Sequence, residues 1–354
     1  MAQMAHRVQM VAEQPFSLMN EDLHPVYVYH WTPEDSHAEA CKNGGAENDA
    51  DAGSRETSEP AREAALKGIV QIVHGMAETA KRYTETAAEL VKQGYLVYAA
   101  DLRGHGRTAE MFHGLGYAGK DGHNGMVQDI ILLGSEIARR HPGLPLFLLG
   151  HSMGSFLVQK VMYTAPEPYA GFLLTGTCGR QPMIAIGEKL AMLQCSLQGD
   201  RQPSMLLNAL VFGPYNRQFR PVRTPFDWLT RDKDEVDLFI KDPSCGELCS
   251  AGFFHDFFRL LLEIHKPVHM SRIPKHKPVF VFSGGQDPVG QNGKGVKRLI
   301  AEYERLGLQH LEWKLYPGAR HELFHELNKA EVIRDVLAWL DRQVLQQPAA
   351  SSDS

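Results

Sequence analysis

The 354-residue chain contains no block of five or more Lys or Arg, and its formal net charge is -5. A nucleic-acid partner, which requires a basic face, is therefore not expected. No stretch approaches the ~20 apolar residues that span a bilayer. The N-terminal run MAQMAHRVQMVAEQPF lacks the basic start, apolar stretch and cleavage site of a secretory signal. These absences lead to the expectation of a cytoplasmic protein. Cysteine is scarce, and the count of five (Cys41, Cys178, Cys195, Cys245, Cys249) is odd, so no disulfide framework is expected. Cys245 and Cys249 are spaced C-x3-C, but no second Cys/His pair nearby completes a zinc site. No internal repeat of fixed period is visible. Neither a cofactor nor a metal is expected.

The chain does have 43% hydrophobic residues, enough to bury a sizeable core, and an ordinary 22% of charged ones. The alternating run PVYVYHW reads as a strand with Val26, Val28 and His30 on one face. From Glu34 to Glu63 nine acids stand against three bases, among Ala, Gly, Asn and Ser. Such a segment buries too little apolar surface to offset its ordering entropy, and it reads as a mobile loop. Beyond it, short apolar strand runs alternate with helical periodicity: GIVQIVH, YLVYAAD, LPLFLLG, AGFLLTG, PVFVFSGGQDP and LEWKLYPG are the strands. The last helix is expected to run through HELFHELNKAEVIRDVLAWLDRQVL. This alternation predicts an α/β fold with a mostly parallel sheet covered on both faces. It breaks once, between about Thr177 and Pro274, in an interval too long for a simple connection and rich in Met, Leu, Phe and Pro. The divisions are a strand region (1–33), the acidic loop (34–65), an α/β core in two pieces (66–176 and 275–345), an inserted helical cap (177–274) and a disordered tail (346–354).

GHSMG, Gly150 to Gly154, is a G-x-S-x-G motif lying between a strand and a helix. A sharp turn there lifts the Ser152 hydroxyl clear of the sheet, and Gly150 and Gly154 leave room for the crowding. The helix N-terminus beside the serine favours a developing anion. Two backbone donors normally cradle the oxyanion of acyl transfer. Met153 supplies one by position, and Met76, after the strand ending at His74-Gly75, supplies the other. The acid and the base of such a site follow later strands, in that order. Asp287 stands beyond PVFVFSGGQ and His321 beyond LEWKLYPGAR. Asp101, in AADLRGHG, is the rival acid. His321 and His325 also form H-E-x-x-H, a zinc-hydrolase pattern when carried on a helix. Pro317-Gly318 just upstream put His321 at a helix start, which weakens that alternative.

The motifs GHSMGS with His151, His74-Gly75, DLRGHGRT (101–108), FDWLTRDKDEVDLFIKDPSCG (226–246) and YPGARHELFHE (316–326) occur in an order that resembles the monoacylglycerol lipase/lysophospholipase group of α/β-hydrolases. The resemblance runs from about Gly68 to Leu340. It implies an α/β-hydrolase fold, a serine ester hydrolase, support for Met76 as oxyanion donor, and a structural role for Asp101. The substrate it implies is a small acyl ester of lipid type, a monoacylglycerol or lysophospholipid. His74, Gly75, Met183, Ile184 and Met192 are the candidate substrate contacts, and the cap is the face expected to touch a membrane surface. A small-ester carboxylesterase, an N-terminal-residue serine peptidase, a transacylase and a binding module with a dead site share the same motifs. The peptidase would require an acidic sensor for the substrate amine that the sequence does not mark.

Overall fold

A computed structural model describes residues 16–19, 24–33, 66–112 and 114–346. The acidic segment 34–65 and the tail beyond Gln346 lie outside the described residues. Eight strands, β1 (Phe16–Met19), β2 (Pro25–Trp31), β3 (Gly68–Val73), β4 (Tyr95–Ala100), β5 (Leu146–His151), β6 (Tyr169–Thr175), β7 (Val279–Gly284) and β8 (Leu311–Tyr316), form one sheet in the order β1-β2-β4-β3-β5-β6-β7-β8. Pairings β1/β2 and β2/β4 are antiparallel, and the pairings from β4 onward are parallel.

Every residue of β3, β5 and β7 is buried, as both faces of a parallel sheet require. The alternation of side chains divides each strand between two cores. Leu146 and Leu148 face a cluster built on helices α3 (Gly122–Arg140), α4 (Met153–Thr164) and α10 (Lys294–Arg305). Phe147 and Leu149 face a second cluster under α1 (Thr84–Lys92) and α11 (Lys329–Gln346), where Trp339 is the large anchor. A short helix, α2 (Gly106–Met111), follows β4.

Between β6 and β7 lie five helices: α5 (Ile184–Gln198), α6 (Met205–Phe212), α7 (Lys233–Lys241), α8 (Ala251–Ile264) and α9 (Pro267–Met270). All five lie within the interval 177–274. Helix α8 carries Phe253, Phe254, Phe257 and Phe258 into the core beneath α5, so this part is continuous with the main body. The chain passes from β3 to β4 on one side of it and then crosses back to β5 on the other side, so the strand order reverses at β3. Loops leaving the carboxyl ends of the strands at such a reversal open a crevice, the usual ligand position in α/β sheets.

Candidate active site

Ser152 joins β5 to α4 with φ 51° and ψ -121°, a conformation that side chains rarely adopt. The strain is held from several sides. Ser152 N–H donates to the Thr175 carbonyl on β6 at 2.9 Å, and Ser155 Oγ donates to the Ser152 carbonyl at 2.6 Å. A Cβ on Gly150 would stand 2.5 Å from the Gly154 carbonyl oxygen, and one on Gly154 would stand 2.1 Å from that of Val73. Both glycines are therefore required by close backbone approach.

Asp287 and His321 leave β7 and β8 in loops that are tied together. Gly285 N–H donates to the Tyr316 carbonyl and Gln286 N–H to that of Ala319. His321 Nδ1 lies 3.0 Å from Asp287 Oδ1, with both side chains buried. Val289 N–H and Ser283 Oγ donate to the same carboxylate and fix its plane. The rings of His151 and Trp228 flank His321 at 4.7 and 5.0 Å. Burial works against an imidazolium here, but the Asp287 carboxylate outweighs it and holds His321 above the ordinary histidine value. His151 is driven far below that value, first by burial and then by His321.

His74 Nδ1 donates to the Gly75 carbonyl at 2.8 Å, and His74 Nε2 accepts from Leu102 N–H at 2.9 Å. One peptide plane contains the Gly75 carbonyl and the Met76 N–H. Pinning the carbonyl on one side therefore aims that N–H the other way. Neither Met76 nor Met153 N–H is committed to a partner among the described residues. Both are free to donate to a bound anion.

Two cavities of about 290 Å³ each meet at Ser152, and Met76, Phe212 and Trp228 also line both. One, walled by Phe156, Met183, Ile184, Leu210, Phe257 and Leu261, is apolar. The other contains His321, Glu78, Glu322, Asn208, Asn216 and Glu247. Both Glu247 oxygens and Asn216 Oδ1 are buried without hydrogen-bond partners. Burial pushes the Glu247 carboxyl up to about 8.

Residues 64–328 match the family described as serine aminopeptidase, S33. The chain belongs to the serine aminopeptidase S33 family. Among curated relatives, a monoacylglycerol lipase of Mycolicibacterium smegmatis is 29% identical over 283 residues, 77% of this chain and 88% of that protein. The human monoglyceride lipase is 28% identical over 287 residues, 80% of this chain and 86% of that one. A carboxyl esterase from Bacillus coagulans, solved with glycerol, superposes with a TM-score of 0.80 at 25% identity, covering 94% and 99% of the two chains. A monoglyceride lipase from Saccharomyces cerevisiae shares the fold at TM-score 0.69 and 21% identity, covering 97% and 99%. This member of the S33 family is an α/β-hydrolase resembling the monoacylglycerol lipases, and a serine ester hydrolase by class.

Within this S33 hydrolase, several expectations need correction. His74, expected among the substrate contacts, is fully buried, lines neither cavity and spends its ring on the Gly75 carbonyl and the Leu102 N–H; Gly75 does line the polar cavity. Met183 and Ile184 line the apolar cavity, whereas Met192 is half exposed and lines neither. The helix expected from His321 begins only at Lys329, after a single 3-10 turn at Leu323–His325. Glu322 N–H is drawn to the Leu229 carbonyl and the Glu326 carboxylate accepts from Arg320 N–H, which holds the segment out of an α-helix. His321 and His325 therefore do not share one helix face, and His325 pairs with Glu235 at 3.3 Å. Among the described residues no group of three His, Cys, Asp or Glu side chains could hold a metal. Asp101, the rival acid, accepts from Thr79 Oγ1, Ala80 N–H and Arg107 N–H and is spent on structure. Sequence reasoning passed over Glu78, Arg82, Glu247 and Glu322. Glu78, Arg82 and Glu247 are single charged residues outside the quoted motifs, while Glu322 lies in H-E-x-x-H, which drew attention for another reason.

Proposed function

We propose that this hydrolase cleaves a lipid-type carboxylic ester, a monoacylglycerol or lysophospholipid, through an acyl-enzyme on Ser152. His321 takes the serine proton and returns it to the leaving alcohol, while Asp287 fixes the imidazole and stabilises its cation. Met76 and Met153 N–H groups bind the oxyanion. The observation that carries this reading is the pair of unlike cavities meeting at Ser152. The acid must reach the leaving oxygen, and His321 lines only the polar cavity, so the alcohol goes there and the acyl chain goes to the apolar one. Glu247, kept largely protonated by burial at neutral pH, both donates and accepts, and Asn216 Oδ1 accepts; together they suit the hydroxyls of a polyol.

The cap supports delivery from a lipid surface. Met183 at the N-cap of α5 and Ile186, Leu190, Leu193 and Leu197 along it repeat at spacings of three and four and are all exposed, Leu197 at 75%. Met205, Leu206 and Leu210 on α6 extend the patch, whose inner members also line the apolar cavity. Between residues 177 and 225 six basic residues stand against two acidic ones, opposite in sign to the whole chain. An apolar stripe with basic flanks favours an anionic interface. Among the described residues no helix is long and apolar enough to cross a membrane.

The test is a substrate panel run on purified protein: monoacylglycerols, lysophospholipids, p-nitrophenyl butyrate and aminoacyl amides. A kcat/KM at least tenfold higher for the lipid esters is expected. Preference for p-nitrophenyl butyrate would make the protein a small-ester carboxylesterase, and preference for aminoacyl amides an N-terminal-residue peptidase.

A further inference from the structure

Behind the site lies a buried trio of charges. Arg82 Nη1 donates to Glu78 Oε2 at 2.6 Å and to Glu322 Oε1 at 2.6 Å, and Arg82 Nη2 donates to Glu322 Oε2 at 2.7 Å. The three side chains are 9%, 3% and 4% exposed. Burying such a group is costly, and a well-packed apolar core is often as stable. The trio joins two loops 240 residues apart. Glu78 Oε1 accepts from Gly75 N–H at 2.6 Å and from Tyr83 OH at 3.1 Å. With His74 on the Gly75 carbonyl, Gly75 is held at both its N–H and its C=O, which fixes the residue immediately before Met76. Glu322 directly follows His321 and is anchored through its own N–H to the Leu229 carbonyl at 2.7 Å.

We propose that Arg82 is a positioning residue: through Glu78 and Glu322 it locks the oxyanion loop to the histidine loop, and the single negative charge the trio retains helps set the proton affinity of His321. The inference rests on the serine-hydrolase reading above and assigns the trio a part in it. Burial opposes ionisation of both carboxyls, yet the Arg82 guanidinium keeps each below the usual range, so the trio carries two carboxylates against one cation. The groups facing His321 are the Asp287 carboxylate at 3.0 Å, the His151 ring at 4.7 Å and the Trp228 ring at 5.0 Å. Glu78, Glu322 and Glu247 line the same cavity, with Arg82 and His325 beyond them. His151 is neutral and Glu247 largely protonated at neutral pH, and among the described residues Glu322 and Glu78 of the trio act on the imidazole alongside Asp287.

The test is the acidic limb of kcat/KM against pH, which reports His321 losing its proton. Glu322→Gln keeps the shape and removes one negative charge, and the limb should move to lower pH by about one unit. Arg82→Gln leaves two carboxylates uncompensated, and the limb should move to higher pH by about as much. Arg82→Lys keeps the charge but loses the planar fork; the limb should stay put while kcat falls about tenfold with KM little changed. Loss of packing alone does not produce shifts of opposite sign. Folding is checked by thermal melting, and the serine by a fluorophosphonate label. Labelled, folded Glu322→Gln and Arg82→Gln variants with unmoved limbs would overturn the electrostatic part, and a normal kcat in Arg82→Lys would overturn the positioning part. Absence of label on the wild-type serine would instead overturn the underlying reading.

Discussion

Gly154→Ala should cripple turnover without touching any group that takes part in the chemistry. The added Cβ would lie 2.1 Å from the Val73 carbonyl oxygen and 2.6 Å from that of His74. Carbon–oxygen contacts rarely close below about 3.3 Å, so the gap must open by roughly 1 Å. Both obstacles are backbone, and neither can swing aside as a flexible side chain would. Val73 and His74 lead directly into Gly75 and Met76, while Gly154 follows the nucleophile by two residues. Any relief therefore pulls the oxyanion loop and the elbow apart. A displacement of about 1 Å at a reacting centre costs on the order of 10²-fold in rate. Overpacking of this kind costs about 1–3 kcal/mol in stability, so the variant should still fold. The assay is kcat/KM on p-nitrophenyl butyrate beside a thermal melt. The expectation is a loss of about 10²-fold, mostly in kcat, with a modestly lowered Tm. A folded variant within threefold of wild type would refute the close-approach argument.

Asp287→Asn should lower kcat by about 10⁴, the size seen when a serine protease loses the acid that orients its histidine; Asp101→Asn should lower Tm instead, and the reverse pattern in the same assay pair would move the acid to Asp101. Glu247→Leu should raise KM for a monoacylglycerol more than for p-nitrophenyl butyrate, and equal effects on both esters would remove Glu247 from the alcohol cavity. The native state keeps the Glu247 proton up to about pH 8 whereas an unfolded chain releases it near 4.5, so this group makes stability fall as pH rises between those values; Glu247→Gln should therefore gain Tm relative to wild type from pH 5 to 8, and a constant difference across that range counts against the assignment. Replacing Leu193 and Leu197 together by Ser should reduce sedimentation with anionic vesicles while leaving p-nitrophenyl butyrate turnover unchanged, and unaltered sedimentation would place the lipid contact elsewhere.

Most of the fold was legible because its signals are local. Short, mainly apolar runs such as LPLFLL and GIVQIV stop within one residue of a glycine and are followed by helical periodicity, which points to a parallel sheet. Ser152, Asp287 and His321 were nominated because each follows such a strand in the chain order of a G-x-S-x-G site; the structure puts His321 against Asp287 and in one cavity with Ser152. The buried charges could not be read this way. Arg82 and Glu322 meet across 240 residues, and nothing local distinguishes them from solvated charges on a helix surface. Helical periodicity also misled at HELFHELNKAEV. Its pattern suits a helix, but the tertiary hydrogen bonds of Glu322 and Glu326 override it until Lys329. His74 was assigned to the substrate for a similar reason: sequence places it next to the oxyanion loop, whereas the direction of its ring toward Gly75 and Leu102 emerges only from packing.

The account stands on Ser152 as an activated nucleophile. Treatment of the purified protein with a fluorophosphonate, followed by peptide mapping, should place one adduct on Ser152 and none in Ser152→Ala. An adduct on any other residue, or an unlabelled protein that still hydrolyses esters, would contradict it.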